Sequence, residues 1–481
     1  MSRVALFMLG LAGLLGIHEN TLGTSLSRES LPSVQIADTI FTVDRILIIG
    51  NKKTKERIIL RELSLHPGDT VNSTRLAEII QLDKNKVYNL RLFNTASIRV
   101  LQMSGNIIDL LVEVSERWYT FPSPIFELSD RNFNEWWQNY NHDFSRVNYG
   151  LRLTQQNFRG RNETLRFTAQ FGFTRRFDLS YRIPNLGRTQ KHGVTFSFDY
   201  REPKNLAYFT NDHVLDYLES DKTLKNTVGF GTSYSYRKSF YQTHAISMEY
   251  RTSRVKDTIA TLNPNYYAHG ATRQRFLALS YSFNSDHRDV AAYPLKGFLF
   301  NGYISKIGFG FEGAVNQLES NVYHAVFFDL KKNFYLSNLA AAYFTVPLNQ
   351  PYSLYSALGY RQQFIRGYEV YVIEGTRFLL NKTTFKKRIF SHVWQLNSMP
   401  ISQFRHFPVA VYLKGYADIG YVRNYDAYEE AGINTRLSDR FLAGMGSGID
   451  VVLLYDMVIR FEYTFTREGT QGFFFHLKKE F

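Results

Sequence analysis

Cysteine is missing from all 481 residues, so no disulfide staples the chain and no acylated cysteine anchors it as a lipoprotein. Burial and backbone hydrogen bonding must hold the fold, which argues against a small stapled extracellular domain. Long apolar runs are missing as well. After the amino terminus no 18-residue stretch is apolar throughout, and transmembrane helices are not expected there. Sequence motifs of familiar chemistry are absent too, with no GxSxG, HExxH or phosphate-binding loop. His142-Asp143 and Asp286-His287 are neighbours in sequence, but adjacent strand residues point to opposite faces, so neither pair makes a metal or catalytic site by spacing. The expectation is a chain that is not an enzyme and carries no catalytic residue, metal or cofactor; enzymatic activity would need residues gathered from different strands.

What is present is aromatic. Phe and Tyr number 40 and 32, while hydrophobic residues stop at 44%. The chain opens "MSRVALFMLGLAGLLGI", with Arg3, an apolar stretch from Val4 to Ile17, and then the polar "HENTLGTS". This is the layout of a secretory signal peptide, placed at 1–24 and followed by a linker at 25–40. No clean small-x-small cleavage site stands out, so an amino-terminal membrane anchor stays open as the alternative. The net charge of +14 raises nucleic acid as a partner, which needs a concentrated basic stripe on a recognisable module. Basic residues instead alternate with aromatics along strand-like segments. No nucleic acid is expected, and lipid phosphates and lipopolysaccharide are the nearer anions for an exported chain.

Residues 41–117 read as a small α+β unit. Val43, Ile46 and Ile48 give apolar weight to a strand that breaks at Gly50-Asn51. The spacing predicts a helix capped by Thr54 and carrying Ile58, Ile59, Glu62 and Leu63, then "HPGD" at 66–69 as punctuation. A second helix carries Leu76, Ile79, Ile80, Val87 and Leu90 on one face, and two strands come after it, "NTASIRVLQM" and "NIIDLLVEVSER", joined at Ser104-Gly105. The order is β-α-α-β-β. On "IIGNKKTKERIILREL", "GD", "YNLRLFNTASIRV" and "VEVSER" this segment resembles a POTRA domain, the periplasmic module of the BamA/TamA outer-membrane family. The resemblance implies a domain that receives client chains by adding them to an exposed sheet edge; a module that only plugs or orients the carboxy-terminal part is the alternative. Residues 41–118 hold 12 basic against 9 acidic residues, so most of the positive charge lies beyond them.

From 118 to 481 the texture is one of strands about ten residues long, with period-two alternation. In "VAVYLKGYADIGYV" Val409, Val411, Leu413, Ala417 and Ile419 share one face, and Tyr412, Lys414, Tyr416 and Asp418 share the other. In "DMVIRFEYTFT" Met457, Ile459, Phe461, Tyr463 and Phe465 alternate with Arg460, Glu462 and Thr464. A soluble sandwich shows the same alternation, but the signal peptide, the lack of cysteine and the aromatic excess shift the reading to a membrane. Lipid cannot satisfy open backbone groups, so the sheet must close. The fold class expected is mainly β, a sixteen-stranded transmembrane antiparallel β-barrel preceded by the α+β domain. Its first strand falls near 119–128, its tenth near 321–334 and its last near 471–481. "NFRGR" (157–161), "PNLGR" (184–188) and "REGTQG" (467–472) read as tight periplasmic turns, and 202–225, 255–271 and 348–375 as long outer loops.

The resemblance to the BamA/TamA family extends through this half. "YGLRLTQQNFRGRNETLRF" and "LSYRIPNL" are similar to the family's opening hairpins, and "YADIGYV" to its DxG strand. "SYSFNSDHRDVAAYPLKGFLF" resembles a hairpin motif matched at Asp286, Arg288, Asp289, Pro294, Lys296 and Gly297. "IRGY" (Ile365, Arg366, Gly367 and Tyr368) resembles the motif at the tip of the sixth outer loop, which folds back into the lumen. The resemblance implies Asp418 as the carboxylate partner of Arg366. Where the family carries a glutamate in the twelfth strand this chain has Thr384, so the second carboxylate is expected to be missing or replaced by an acceptor such as Glu374. The ending "GFFFHLKKEF" resembles a terminal assembly signal, with Phe473, Phe475, Leu477 and Phe481 on one face and Lys478 where glycine is common. Pro122 and Pro124 lie in the first strand and each removes a ladder donor, which predicts a weak closure or marks a linker. The family resemblance implies insertion of client strands at that seam in the bacterial outer membrane, with unfolded outer-membrane proteins and accessory lipoproteins as partners. A dedicated polypeptide secretion pore and a structural barrel are the alternatives.

Overall fold

The computed structural model describes residues 39–128, 144, 147–309, 315–359, 363–400 and 402–477. The expected signal peptide 1–24, nearly all of the linker 25–40, His142, Asp143, Lys478 and Phe481 lie outside the described residues. Ile40–Phe481 form one unit.

The amino-terminal part is an α+β domain of β1 (Ile40–Ile49), α1 (Glu56–Leu60), β2 (Thr70–Asn72), α2 (Ser73–Asn89), β3 (Phe93–Ser104) and β4 (Ile107–Glu116). Its sheet runs β2-β1-β4-β3, with β1 and β4 parallel. Ile58 and Ile59 of α1, Leu76 and Val87 of α2, and Val43, Ile108 and Val112 of the sheet are buried in two clusters between helices and strands. Each such side chain contributes about 1.5–3 kcal/mol when fully buried. Two expectations are corrected here. The order contains an extra strand, β2, whose three residues are too few to show alternation; it forms because Gly68 N bonds Val43 O at 2.8 Å and brings the chain back along β1. Thr54 does not cap α1, whose N-cap is Lys55 without a side-chain bond. Instead Thr54 is buried, and its backbone N and its Oγ1 donate to Glu116 Oε1 at 2.6 and 2.7 Å.

After β5 (Thr120–Leu128) the chain continues as β6 (Val147–Phe158), β7 (Glu163–Gly172), β8 (Thr174–Leu186) and β9 (His192–Pro203). β10 (Asn205–Asn211) and β11 (Val214–Glu219) form a hairpin of their own before β12 (Lys225–Arg237) and β13 (Gln242–Val255). Helix α3 (Asp257–Leu262) precedes β14 (Arg273–Asp286), β15 (Gly297–Ile307), β16 (Gln317–Asp329) and β17 (Phe334–Val346). The short pair β18 (Ala357–Leu358) and β19 (Ile373–Glu374) lies in the next loop, ahead of β20 (Arg377–Gln395) and β21 (His406–Arg423). Helix α4 (Asp426–Glu430) leads to β22 (Phe441–Val452), β23 (Val458–Thr466) and β24 (Gln471–Leu477). Sixteen of these strands make a single sheet in which chain neighbours pair antiparallel, with β5 and β24 as its terminal strands.

Burial settles which solvent this sheet faces. Phe230, Met248, Leu379, Leu413, Ile419, Met445, Phe461 and Phe473 are exposed on its outer face, while Lys386, Lys414, Asp418, Asp450 and Glu462 are buried inside. Water would drive the opposite arrangement, and an apolar belt of this extent suits lipid. Among the described residues no helix is long and apolar enough to cross a membrane.

Two expectations about connections are corrected. The tenth barrel strand, β16, stops at Asp329 and does not run to 334, because Lys331, Lys332 and Asn333 adopt positive φ in the turn to β17. Leu330 and Phe334 straddle that turn and mimic continued alternation. Residues 202–225 and 255–271 are long connections between barrel strands, as expected, and they hold the β10-β11 hairpin and α3. The turn 467–472 belongs with the long loops: counting strands from β5 puts it at the end far from the amino-terminal domain, where Tyr368 OH donates to Glu468.

The near end of the sheet is docked on the amino-terminal domain by its turns. Lys55 N bonds Gly160 O at 3.0 Å, and Asn157 Nδ2 bonds Thr54 Oγ1 at 2.8 Å. Arg237 grips buried Glu62 with two bonds of 2.6 Å. Asn89, the last residue of α2, donates to Asp289 O at 3.0 Å and accepts from Ala291 N at 3.1 Å. Arg117 reaches Asp456 at 3.0 and 3.3 Å. Bidentate arginine pairs of this kind fix orientation as well as proximity.

Candidate functional site

The loop between β17 and β20 turns back inside the sheet and brings its tip against β21 and β23. Ile365 and Tyr368 are buried among the apolar side chains of β16, β17 and β20. Gly367 has φ +95°, and a Cβ there would lie 2.6 Å from Thr466 Cγ2, so only glycine fits this close turn.

Arg366 is 4% exposed. Its Nε and one terminal nitrogen donate to Asp418 at 2.8 and 2.5 Å, and its backbone N also donates to that carboxylate at 3.1 Å. Its guanidinium centre lies 3.9 Å from the Tyr416 ring centroid. Thr384 contributes directly, accepting from Arg366 at 3.1 Å. The expected loss of a second carboxylate is corrected: Glu462 of β23 lies 3.6 Å from the other terminal nitrogen. Glu374 takes no part, because it is buried in another network and accepts from Thr210 and Tyr428 at 3.0 Å each.

The ion pairs continue along the lumen. Lys382 Nζ is 3.7 Å from Asp418 and donates to Phe364 O at 3.1 Å. Lys414 lies between Asp450 at 2.5 Å and Glu462 at 2.8 Å, and Arg460 Nε donates to Asp450 at 3.2 Å. Burying ions is costly unless each finds partners, and here four strands supply them. The sequence placed Arg460, Glu462 and Lys414 on the charged faces of their strands; which of them meet across β21, β22 and β23 depends on register that no local pattern displays.

The hairpin motif sits at the near end, between β14 and β15. Arg288 pairs with Asp286 at 2.8 and 2.7 Å, and Asp289 accepts from Leu295 N at 3.1 Å. Burial raises the Asp289 carboxyl above its usual range. At Gly297 φ is +103° and a Cβ would meet His287 O at 2.1 Å, which explains the glycine. Pro294 follows Tyr293, a residue with no signal in the sequence motif, whose hydroxyl donates to Asp450 at 2.9 Å. Thus one loop touches both α2 and the lumen ion pairs. His287 stacks on Tyr241 and Phe298, with centroids 4.1 and 4.4 Å apart.

The terminal strands carry the remaining candidates. Phe473 and Phe475 face outward and are exposed; the Leu477 side chain and Phe481 lie outside the described residues. Pro122 and Pro124 lie within β5, opposite Leu153 and Leu151 of β6. That ladder is unbroken, which requires the donors of Phe121, Ser123 and Ile125 to point to β6. The two missing donors therefore fall on the free edge. Among the described residues no ladder joins β5 to β24.

At the far end the hairpin β10-β11 is clamped by the loops around it. His213, at its tip, is wholly buried; its backbone N donates to Asn434 at 2.8 Å, and its Nε2 accepts from Leu437 N at 2.9 Å. Burial first, and the Arg436 guanidinium second, push the imidazole down to about 4, against a smaller upward pull from Asp212. The unfolded hairpin takes up a proton below about 6.5 and the packed one does not, so stability is full above that value and falls as pH drops towards 4. The clamp should weaken by about 3 kcal/mol over that window. Amide exchange at Leu437 read against pH checks this, and His213→Gln should flatten the profile; an unchanged profile in the variant rejects His213 as the titrating group.

An apolar outer face, a charged inner face and sixteen antiparallel strands define a transmembrane β-barrel of the bacterial outer-membrane kind. Residues 157–481 match the Omp85 superfamily domain, and the chain belongs to that family. Residues 41–117 match a POTRA domain, described as a surface antigen variable number repeat. BamA from Haemophilus ducreyi, in a crystal structure lacking POTRA domains 1–3, is similar at 13% identity over 91% of this chain and 83% of that one, with a TM-score of 0.49. CdiB from Acinetobacter baumannii is similar at 14% identity over 91% and 74%, with a TM-score of 0.45. CdiB from Escherichia coli is similar at 10% identity over 94% and 92%, with a TM-score of 0.48. No curated protein sequence matches the chain.

Proposed function

We propose that this protein inserts client β-barrel chains into the outer membrane in the manner of BamA and TamA, after export directed by residues 1–24. The near end and its POTRA domain face the periplasm. Client strands add to the edge of the POTRA sheet at β3 and pass into the membrane between β5 and β24, without catalysis, metal or cofactor. Unfolded outer-membrane proteins are the clients, accessory lipoproteins and lipopolysaccharide the further partners, and Phe473, Phe475, Leu477 and Phe481 the signal by which the protein is itself assembled.

The observation that carries this reading is the edge of β5 turned away from β6, which has no partner strand among the described residues. Two prolines there withhold donors from any closing strand, so β24 cannot build a full ladder on it, and an incoming strand competes against a weakened partner. Depletion of the protein followed by an inventory of the outer membrane tests the proposal. Loss of many barrels is expected. Loss of one secreted polypeptide would mark a dedicated exporter, and an unchanged inventory a structural barrel.

A further inference from the structure

A second feature lies on the outer face, away from the lumen. At the far ends of β8, β9, β12, β13 and β14 a row of polar side chains crosses the lipid-facing surface: Arg175, Glu202, Asn226, Arg254 and Arg273. Register places Arg175 opposite Glu202, Asn226 opposite Arg254, and Arg254 opposite Arg273. Glu202 is engaged by Arg175 at 3.6 Å and by Asn226 at 3.2 Å. Arg254 and Arg273 are exposed and, among the described residues, have no carboxylate partner. Like charges directly opposite each other in a ladder are destabilising. The pair therefore asks for an anion between the two guanidinium groups.

The surroundings define which anion. Asn226, Thr252, Ser253, Arg254 and Arg273 line a cleft of about 400 Å³. Two and four residues further along the same strands, on the same outward face, stand the rings of Phe177 and Tyr200, 6.1 Å apart, and of Phe198 and Phe230, 5.1 Å apart. Cations above an aromatic band mark the level where lipid headgroups meet the hydrocarbon layer. Guanidinium forks match phosphate oxygens. We infer that Arg254 and Arg273 form a binding site for the phosphate-bearing headgroup of an anionic lipid in the leaflet at the far end, its acyl chains lying along the aromatic rows. This rests on the reading that the far end faces the outer leaflet.

The test uses the full-length protein in detergent micelles, titrated with diphosphoryl lipid A, with the same lipid stripped of its phosphates, and with inorganic phosphate. Each interfacial cation favours an anionic lipid by about 1 kcal/mol, so Arg254→Gln or Arg273→Gln should weaken binding of diphosphoryl lipid A about fivefold, and the double variant about thirtyfold. Lys387→Gln, which removes an exposed cation at the near end, should leave it unchanged. Heat-modifiable migration on gels identifies folded barrels, and the single variants serve if the double one does not fold. Undiminished binding by the folded variants, an equal loss in Lys387→Gln, or equal binding of the dephosphorylated lipid overturns the site. Competition by inorganic phosphate at millimolar concentration would assign it to free anions and overturn the lipid. The assay reads headgroup binding alone, so its failure leaves the insertion reading to the depletion experiment.

Discussion

Arg366→Ala is expected to leave the barrel inserted while lowering its resistance to heat and to proteolysis of the β17-β20 loop, at a cost of about 3–5 kcal/mol. Asp418 is 1% exposed and takes three bonds from Arg366. Removing the side chain strands that carboxylate in the lumen with Lys382 at 3.7 Å as its nearest remaining cation, which places the loss toward the lower figure. Glu462 keeps Lys414 at 2.8 Å and suffers less. Asp418→Asn should destabilise to a similar degree by leaving the guanidinium with one distant carboxylate. Thermal unfolding followed on gels measures both. The double variant should be no worse than the more damaging single one, since each removes the same interaction; fully additive losses would refute direct pairing.

The second large effect concerns the edge strands. Cysteines introduced in pairs across Ser123–Phe126 and Gly472–Phe475 are expected, on oxidation, to abolish the complementation of a depleted strain and to restore it on reduction. The chain has no cysteine of its own, so every bridge formed is an engineered one, and pairs must be scanned because a disulfide needs Cα atoms within about 7 Å. The barrel should stay folded throughout, since the bridge adds to an edge and removes no contact. Efficient bridging with undiminished activity would require the insertion mechanism to be abandoned.

How far these features were legible depends on their range in sequence. Period-two alternation places Leu413, Ile419 and Phe461 outward and Lys414, Asp418 and Glu462 inward, because it depends only on neighbours along one strand. The pairing of Arg366 with Asp418 was reached through resemblance to a family motif. Glu462 was visible as a lumen residue but not as the second acceptor, since that requires the register of three strands together. Thr54 deceived by type: threonine suits an N-cap, yet Glu116 reached its hydroxyl first. The clamp on His213 had no local signature at all, because Asn434 and Leu437 lie more than two hundred residues away.

The docking of the amino-terminal domain also bears on how the edge can part. Lys55 is tied to the turn after β6, one strand from the β5 edge, while Arg117 is tied to Asp456 in the turn before β23, one strand from the β24 edge. Trp118 N, just ahead of β5, bonds the Tyr455 hydroxyl at 3.1 Å. The POTRA domain thus holds the flanks of both terminal strands at the same end. On the insertion mechanism proposed above, strands tethered at that end would part as a wedge with its apex at the POTRA domain and its mouth at the far side. The aperture would then be widest at Leu128, the far end of β5, and would narrow to nothing at Thr120.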